Sequence, residues 1–349
     1  MIAVLRGASL AVALVVLAAG AGRAAEQTDP FLGDWQGEWA KEAKVRPGAI
    51  VAQVIPRGGG RYQINLLPEF NRRAPPYAVV QATAEGGRAR FDQDGWTGRI
   101  DGDRFTGSGP MKGKQAAFEM TKVTRLSPRL GAAAPEGAIV LFDGTDFRHW
   151  EMLGRGATAG KVTWTIAGGV IRVVPALVGH KIGPSLATKR AFTDFRLHLE
   201  FRLPLMPEAT GQMRANSGVI IEDYQFHEVQ VLDTYGLPGY FNECGGIYRV
   251  APPKVNMCAP PRQWQSYDIT FHAARFDKDG NRAAPARITV SHNGTLIHNG
   301  HELPEGQNAA RARRERPESR KVGRIKLQDH GYPVEYRNIW LVDLSQAQP

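Results

Sequence analysis

The sequence predicts an all-β protein: a β-sandwich preceded by a small all-β domain. Three observations lead there. Short segments in which apolar and polar residues alternate recur along the chain, as expected of strands whose successive side chains point to opposite faces. Turn residues, chiefly glycine, proline and asparagine, separate these segments at close intervals. Almost nothing shows the apolar periodicity of a helix. The chain has 349 residues, mixed charge and ordinary apolar content, so the expectation is a globular protein of two domains.

Residues 1–25 read as a signal peptide. Arg6 precedes an apolar run from Leu10 to Gly20, and the small residues Gly22, Ala24 and Ala25 suit cleavage after Ala24 or Ala25. The run is too short for a stable membrane anchor, and no cysteine follows it closely enough for a lipid anchor. A periplasmic or secreted protein is therefore expected. In that oxidising setting Cys244 and Cys258 are expected to form a disulfide, closing a loop that contributes roughly 3 kcal/mol. Two thiols without a paired CxxC spacing make a metal site the weaker reading.

The net charge of +10 raises nucleic acid as a partner. Much of the excess sits in Arg311, Arg313, Arg314, Arg316, Arg320 and Lys321, mixed with Glu315 and Glu318 and without aromatic residues. That pattern suits a solvated loop, so no nucleic acid is expected.

Residues 26–125 are the small all-β domain. Asp34 to Trp39 alternates, Ile50 to Ile55 is apolar, and Gly58-Gly59-Gly60 turns the chain before Tyr62 to Leu67. Five further short strands follow up to Val123, giving a sheet or an open barrel. Trp35 and Trp39 are read as core residues in preference to a sugar-stacking platform. Residues 126–136, rich in proline, glycine and alanine, read as a linker. The sandwich then occupies residues 137–349. Asp143-Gly144-Thr145-Asp146 is a tight turn, Trp164 to Val173 a hairpin, and Phe195 to Leu203 a long antiparallel strand with one wet face. Strands are also expected at Trp264 to Phe271, Arg287 to Ser291, Thr295 to His298, Val322 to Gln328 and Glu335 to Leu344.

Two strands carry titratable side chains on one face. Along Phe226 to Asp233, Glu228 and Gln230 share a face while Val229 and Val231 share the other. Along Val322 to His330, Arg324, Lys326, Gln328 and His330 oppose Ile325 and Leu327. Two such strands in one sheet would gather Glu, Gln, Arg, Lys and His around a cleft, the grouping that acid/base chemistry requires. Ordinary glycoside hydrolysis needs two facing carboxylates. Here a glutamine stands in the middle of Glu228-Val229-Gln230-Val231-Leu232-Asp233, and Asp233 has the opposite parity to Glu228, so that route is disfavoured. No Gly-x-Ser-x-Gly elbow exists, and Ser217 reads as a turn or strand-start residue in preference to a nucleophile. Asp143, Asp146, Asp223 and Asp233 leave a divalent cation such as calcium open, without the compact spacing of a known loop.

Residues 137–345 resemble the 3-keto-disaccharide hydrolase domain, formerly a domain of unknown function. The resemblance rests on Leu141-Phe142-Asp143-Gly144-Thr145 with Trp150, Asn216-Ser217-Gly218-Val219, and His227-Glu228-Val229-Gln230-Val231-Leu232-Asp233. It continues through Gly246-Ile247-Tyr248 with Ala251-Pro252, Trp264 to Tyr267, Leu327-Gln328-Asp329-His330-Gly331, and Arg337-Asn338-Ile339. It implies a concanavalin A-like (laminin-G-like) jelly-roll β-sandwich. The implied substrate is a glycoside oxidised to a ketone at C3. A ketone acidifies the C2 proton, so one base would suffice to start elimination of the C1 substituent, with water then adding.

By this resemblance Glu228 or His330 is the base and the other protonates the leaving group or orients water. Gln230, Tyr248, Arg324, Lys326 and Gln328 hold the sugar or stabilise enolate charge. The loop between Cys244 and Cys258 and the long basic insert near 305–321 are departures from the family's pattern that could reshape the cleft. A non-catalytic, lectin-like carbohydrate-binding module is the alternative, since fold does not fix function.

Overall fold

The structure, a computed structural model, describes residues 29–40, 49–154, 156–177, 181–222, 226–304 and 323–345. The signal-peptide reading, Asp223 and the basic run at 305–321 lie outside the described residues. Within them the protein is all-β, with one 3-10 turn at Gly211–Met213 and no α-helix.

The first eight strands are β1 (Gly33–Trp39), β2 (Ala49–Pro56), β3 (Arg61–Leu67), β4 (Ala78–Glu85), β5 (Arg88–Gln93), β6 (Trp96–Asp101), β7 (Arg104–Met111) and β8 (Lys114–Val123). Each pairs antiparallel with the next, and β8 pairs back onto β1 from Asp34↔Val123 to Trp39↔Phe118, so the barrel is closed. The sequence left a sheet or an open barrel standing. Trp35, Trp39, Phe91, Phe105 and Phe118 fill the interior edge to face, with Trp96 tilted against Trp39 and Phe118, which places Trp35 and Trp39 in the core as expected.

The sandwich has two sheets. The smaller contains β10 (Trp150–Leu153), β13 (Ser185–Thr188), β15 (Ser217–Glu222), β16 (His227–Val231) and β22 (Arg324–Leu327), in the order β10-β13-β22-β15-β16. The larger runs β11 (Thr165–Ala167), β12 (Val170–Arg172), β23 (Glu335–Asp343), β14 (Asp194–Arg202), β17 (Trp264–His272), β20 (Arg287–His292) and β21 (Thr295–Glu302), with β9 (Ile139–Phe142) on β23. Val219, Val229, Val231, Ile325 and Leu327 of the small sheet share one core with Leu197, Leu199, Phe201, Ile269 and Leu341 of the large one. This is the jelly-roll sandwich the sequence predicts.

The even-numbered face of β14 is wet at Arg196, as expected, but not at its centre. His198 and Glu200 are fully buried because residues 127–132 lie across them. The Gly131 amide donates to Glu200, Arg129 pairs with Asp268, and Trp340 donates to the carbonyl of Ala132. His198 contacts Asp268 at 2.9 Å and stacks on Trp340. The expected linker is thus a packed strap, its partners coming from strands far along the chain.

Barrel and sandwich belong to one compact unit, Phe31–Pro349. At their seam the buried carboxylate of Asp34 accepts from Arg125 and from the Tyr235 hydroxyl, both at 2.7 Å. Asn65 donates to the Gly236 carbonyl at 2.8 Å, and Ile55 of the barrel joins the sandwich core.

Cys244 and Cys258 are free, buried thiols, not the expected disulfide. They lie against one another, and each has another polar partner: Cys244 the Tyr267 hydroxyl, Cys258 the Leu232 carbonyl.

Candidate functional site

The register of the small sheet decides which side chains meet. Ile220 lies opposite both Lys326 and Glu228, and Val219 lies opposite Leu327 and Val229. Directly opposed residues share a face. Lys326, Ile220 and Glu228 therefore form one row on the face away from the core, and the valines and Leu327 form another inside it. One step along, Gly218 pairs with Gln230 and accepts a backbone hydrogen bond from Gln328. The parity read from the sequence holds on both strands, and β15 is the strand that joins them.

A cleft of about 360 Å³ opens on this outer face. Glu228, Gln230, Tyr248, Gln328 and His330 all line it, so five of the seven sequence-predicted catalytic and substrate-binding residues share one hollow. Gln212, Asn216, His227 and Arg249 line it as well. Gln212 sits in the 3-10 turn, and no motif pointed to it or to Arg249. Asn216 and His227 stood inside quoted motifs without a role.

Space for the Glu228 carboxyl comes from Gly218. A Cβ there would lie 2.1 Å from Glu228 Oε1, well inside contact distance. Above the strand the chain folds back, and the backbone of Tyr248, Gly246 and Gly245 hydrogen-bonds to the edge of β16 at Glu228 and Gln230. Glu228 is thereby almost wholly covered. Burial pushes its carboxyl up to about 7, and the nearby Lys326 ammonium opposes the shift. Burial holds the His227 imidazole down to about 4, reinforced by Arg282, so this ring, paired in register with the core residue Ile221, is neutral at neutral pH.

The structure draws one predicted residue away and sets another at the margin. Arg324 does not line the cleft; its guanidinium is held by Glu151 and by the Thr188 carbonyl. Lys326 stands beside the cleft, its ammonium 5.6 Å from the centroid of Phe226, a residue of the cleft wall. Asp233, at the end of Glu228-Val229-Gln230-Val231-Leu232-Asp233, is fully buried in an ion pair with Arg214 at 2.6 Å and also caps the Tyr235 amide. Among the described residues no group of three or more His, Cys, Asp or Glu is placed to hold a metal ion. Of the aspartates proposed for a cation, Asp143 caps the turn at Thr145 and Asp146 pairs with Arg148.

The pattern that defines the 3-keto-alpha-glucoside-1,2-lyase-like domain matches residues 137–342. Among curated proteins none matches the chain. Two solved structures from Parabacteroides distasonis, each described as a candidate glycosyl hydrolase, are similar to it. One is 35% identical, covers 60% of this chain and 85% of that one, with a TM-score of 0.48. The other is 22% identical, covers 61% and 99%, with a TM-score of 0.42. A carbohydrate-binding module of Bacillus subtilis is 10% identical over 55% of this chain and 93% of that one, with a TM-score of 0.29.

Proposed function

Because the chain belongs to the 3-keto-alpha-glucoside-1,2-lyase-like domain family, we propose that it cleaves 3-keto-glycosides by abstraction of the C2 proton followed by elimination at C1. A carbohydrate-active role follows from the family; the 3-keto substrate and the residue roles are our reading. One observation carries it. Among the described residues lining the cleft, Glu228 is the sole carboxylate, and its pKa of about 7 suits a general base at neutral pH. A single base of this kind serves elimination beside a ketone, whereas hydrolysis of an unoxidised glycoside asks for two carboxylates.

In this scheme the Glu228 carboxylate takes the C2 proton, and the electron pair of the C2–H bond passes into an enolate with its charge on the C3 oxygen. The Tyr248 hydroxyl and the Lys326 ammonium are the donors assigned to that charge. Collapse of the enolate restores the C3 carbonyl, forms a C1=C2 double bond and breaks the C1–O bond. His330 supplies the proton taken up by the departing oxygen. The products are an alcohol and an unsaturated keto sugar, and water added across C1=C2 gives net hydrolysis. We place the reaction outside the cytoplasm, on the strength of the leader pattern in residues 1–25.

Incubating the protein with 3-keto-trehalose, 3-keto-lactose and their unoxidised parents tests the reading. Cleavage of the oxidised sugars alone is expected. Binding of all four without turnover would favour the lectin-like alternative. Full turnover in both Glu228→Gln and His330→Ala would end the assignment of roles.

A further inference from the structure

Three side-chain amides at the cleft form a chain whose direction the backbone sets. Gln212 Nε2 donates to the carbonyl of Asn242 at 2.7 Å, and the Val231 amide donates to Gln230 Oε1 at 3.0 Å. With these ends fixed, Gln230 turns its Nε2 toward Gln212 Oε1 at 3.4 Å. Asn216 turns its Nδ2 toward the same oxygen and toward the Gln212 carbonyl, both at 3.1 Å. Flipping Asn216 would set its carbonyl oxygen against two acceptors, so the network determines its orientation.

One acceptor is left over. Asn216 Oδ1 is buried without a hydrogen-bond partner among the described residues, in a cleft-lining residue only 1% exposed. Gln328, 6% exposed in the same wall, holds its Oε1 in the same condition. A buried carbonyl oxygen without a donor is costly, and two such atoms in the wall of one cleft call for donors from whatever fills it.

We propose that Asn216 Oδ1 and Gln328 Oε1 are specificity determinants that accept hydrogen bonds from hydroxyl groups of an uncharged sugar. An acceptor pair gains nothing from a ketone and repels a carboxylate or phosphate. The inference rests on the cleft being the sugar site, and it orients that sugar: the oxidised carbon faces away from Asn216, toward the donors Tyr248 and Lys326, and hydroxyls face the amides. Uronic and phosphorylated sugars are rejected on the amide side.

The test uses singly deoxygenated and deoxyfluorinated analogues of trehalose and of its 3-keto form, with affinity read by calorimetry and cleavage read separately. In the unaltered protein, removing the hydroxyl that meets Asn216 is expected to weaken binding roughly 10- to 100-fold. The fluoro analogue, which cannot donate, should lose as much. Asn216→Ala should bind the parent sugar weakly and discriminate little between parent and that analogue, while Gln328→Leu should lose discrimination at a different hydroxyl. Thermal melting checks that the variants fold, and the analogue series in the unaltered protein stands without them. Equal binding of all analogues, or discrimination that survives both substitutions, overturns the inference. Hydroxyl-dependent binding without cleavage of any 3-keto sugar upholds it while overturning the catalytic reading. Cleavage indifferent to every hydroxyl does the reverse, and no binding at millimolar concentration overturns both.

Discussion

Gly218 and Glu228 share one volume: the space a side chain at 218 would take is filled by the carboxyl of Glu228, whose Oε1 lies 2.1 Å from the position of that Cβ. Gly218→Ala must therefore push the carboxyl out of its place while leaving the strand pairing possible. We expect kcat/KM on a 3-keto-glycoside to fall at least about tenfold, with an altered pH profile, since the burial that raises the carboxyl's pKa changes with its position. An unchanged rate and profile in a well-folded Gly218→Ala protein would show that the carboxyl's location does not matter.

The pKa of Glu228 makes opposite demands on activity and on stability. Activity should rise with pH through about 7 as the base form accumulates. For stability, the folded state holds this proton more tightly than an unfolded glutamate, whose pKa is about 4.3. Folding is favoured by the bound proton below that value, and the advantage is lost as pH rises toward about 7. Glu228→Gln should thus be more stable than the parent above neutrality, relative to their difference in acid, and should lose about 100-fold or more in turnover. Melting temperatures of the two proteins from pH 4 to 8, alongside pH–rate profiles, check both signs.

Asp233 is predicted to be structural. Its fully buried carboxylate faces Arg214, and burial raises its pKa while the guanidinium pulls it down. Asp233→Asn leaves Arg214 as an uncompensated buried charge, a loss of about 3–5 kcal/mol. Denaturant titration should show that loss, and at temperatures where the variant remains folded its turnover should stay close to that of the parent.

Barrel and sandwich should unfold together. Tyr235→Phe removes the hydroxyl that reaches Asp34 across the seam, leaving Arg125 on the carboxylate, and should cost about 1–2 kcal/mol. Calorimetry is expected to show one transition that moves down as a whole. A barrel transition that stays in place while a sandwich transition shifts would refute this coupling.

Much of the site was legible because strand parity is a local property. Val229 and Val231 had to face a core, so Glu228 and Gln230 had to face away from it, and the same held for Lys326 against Ile325 and Leu327. Parity does not give position along the strand or the identity of neighbours. Arg324 has the right parity but pairs in register with Glu222, beyond the cleft, and Glu151 from β10 claims it. Gln212 could not be read because a 3-10 turn brings it in, and nothing in its own surroundings marks that. The strap at 127–132 looked like a linker for a related reason: its hydrogen bonds end on Glu200, Asp268 and Trp340, far away in sequence. Closure of the barrel likewise depends on the pairing of β1 with β8, the two ends of the domain.

β16, the bearer of Glu228, is the last strand of its sheet, and its outer edge is taken up by the backbone of 245–248. For anyone reshaping the substrate range this sets the permissible direction of change. Trimming that loop to widen the hollow would bare an unpaired edge and invite strand addition from another copy of the chain. Enlargement is safer at Ile182 and Pro304, which line the hollow without pairing to β16.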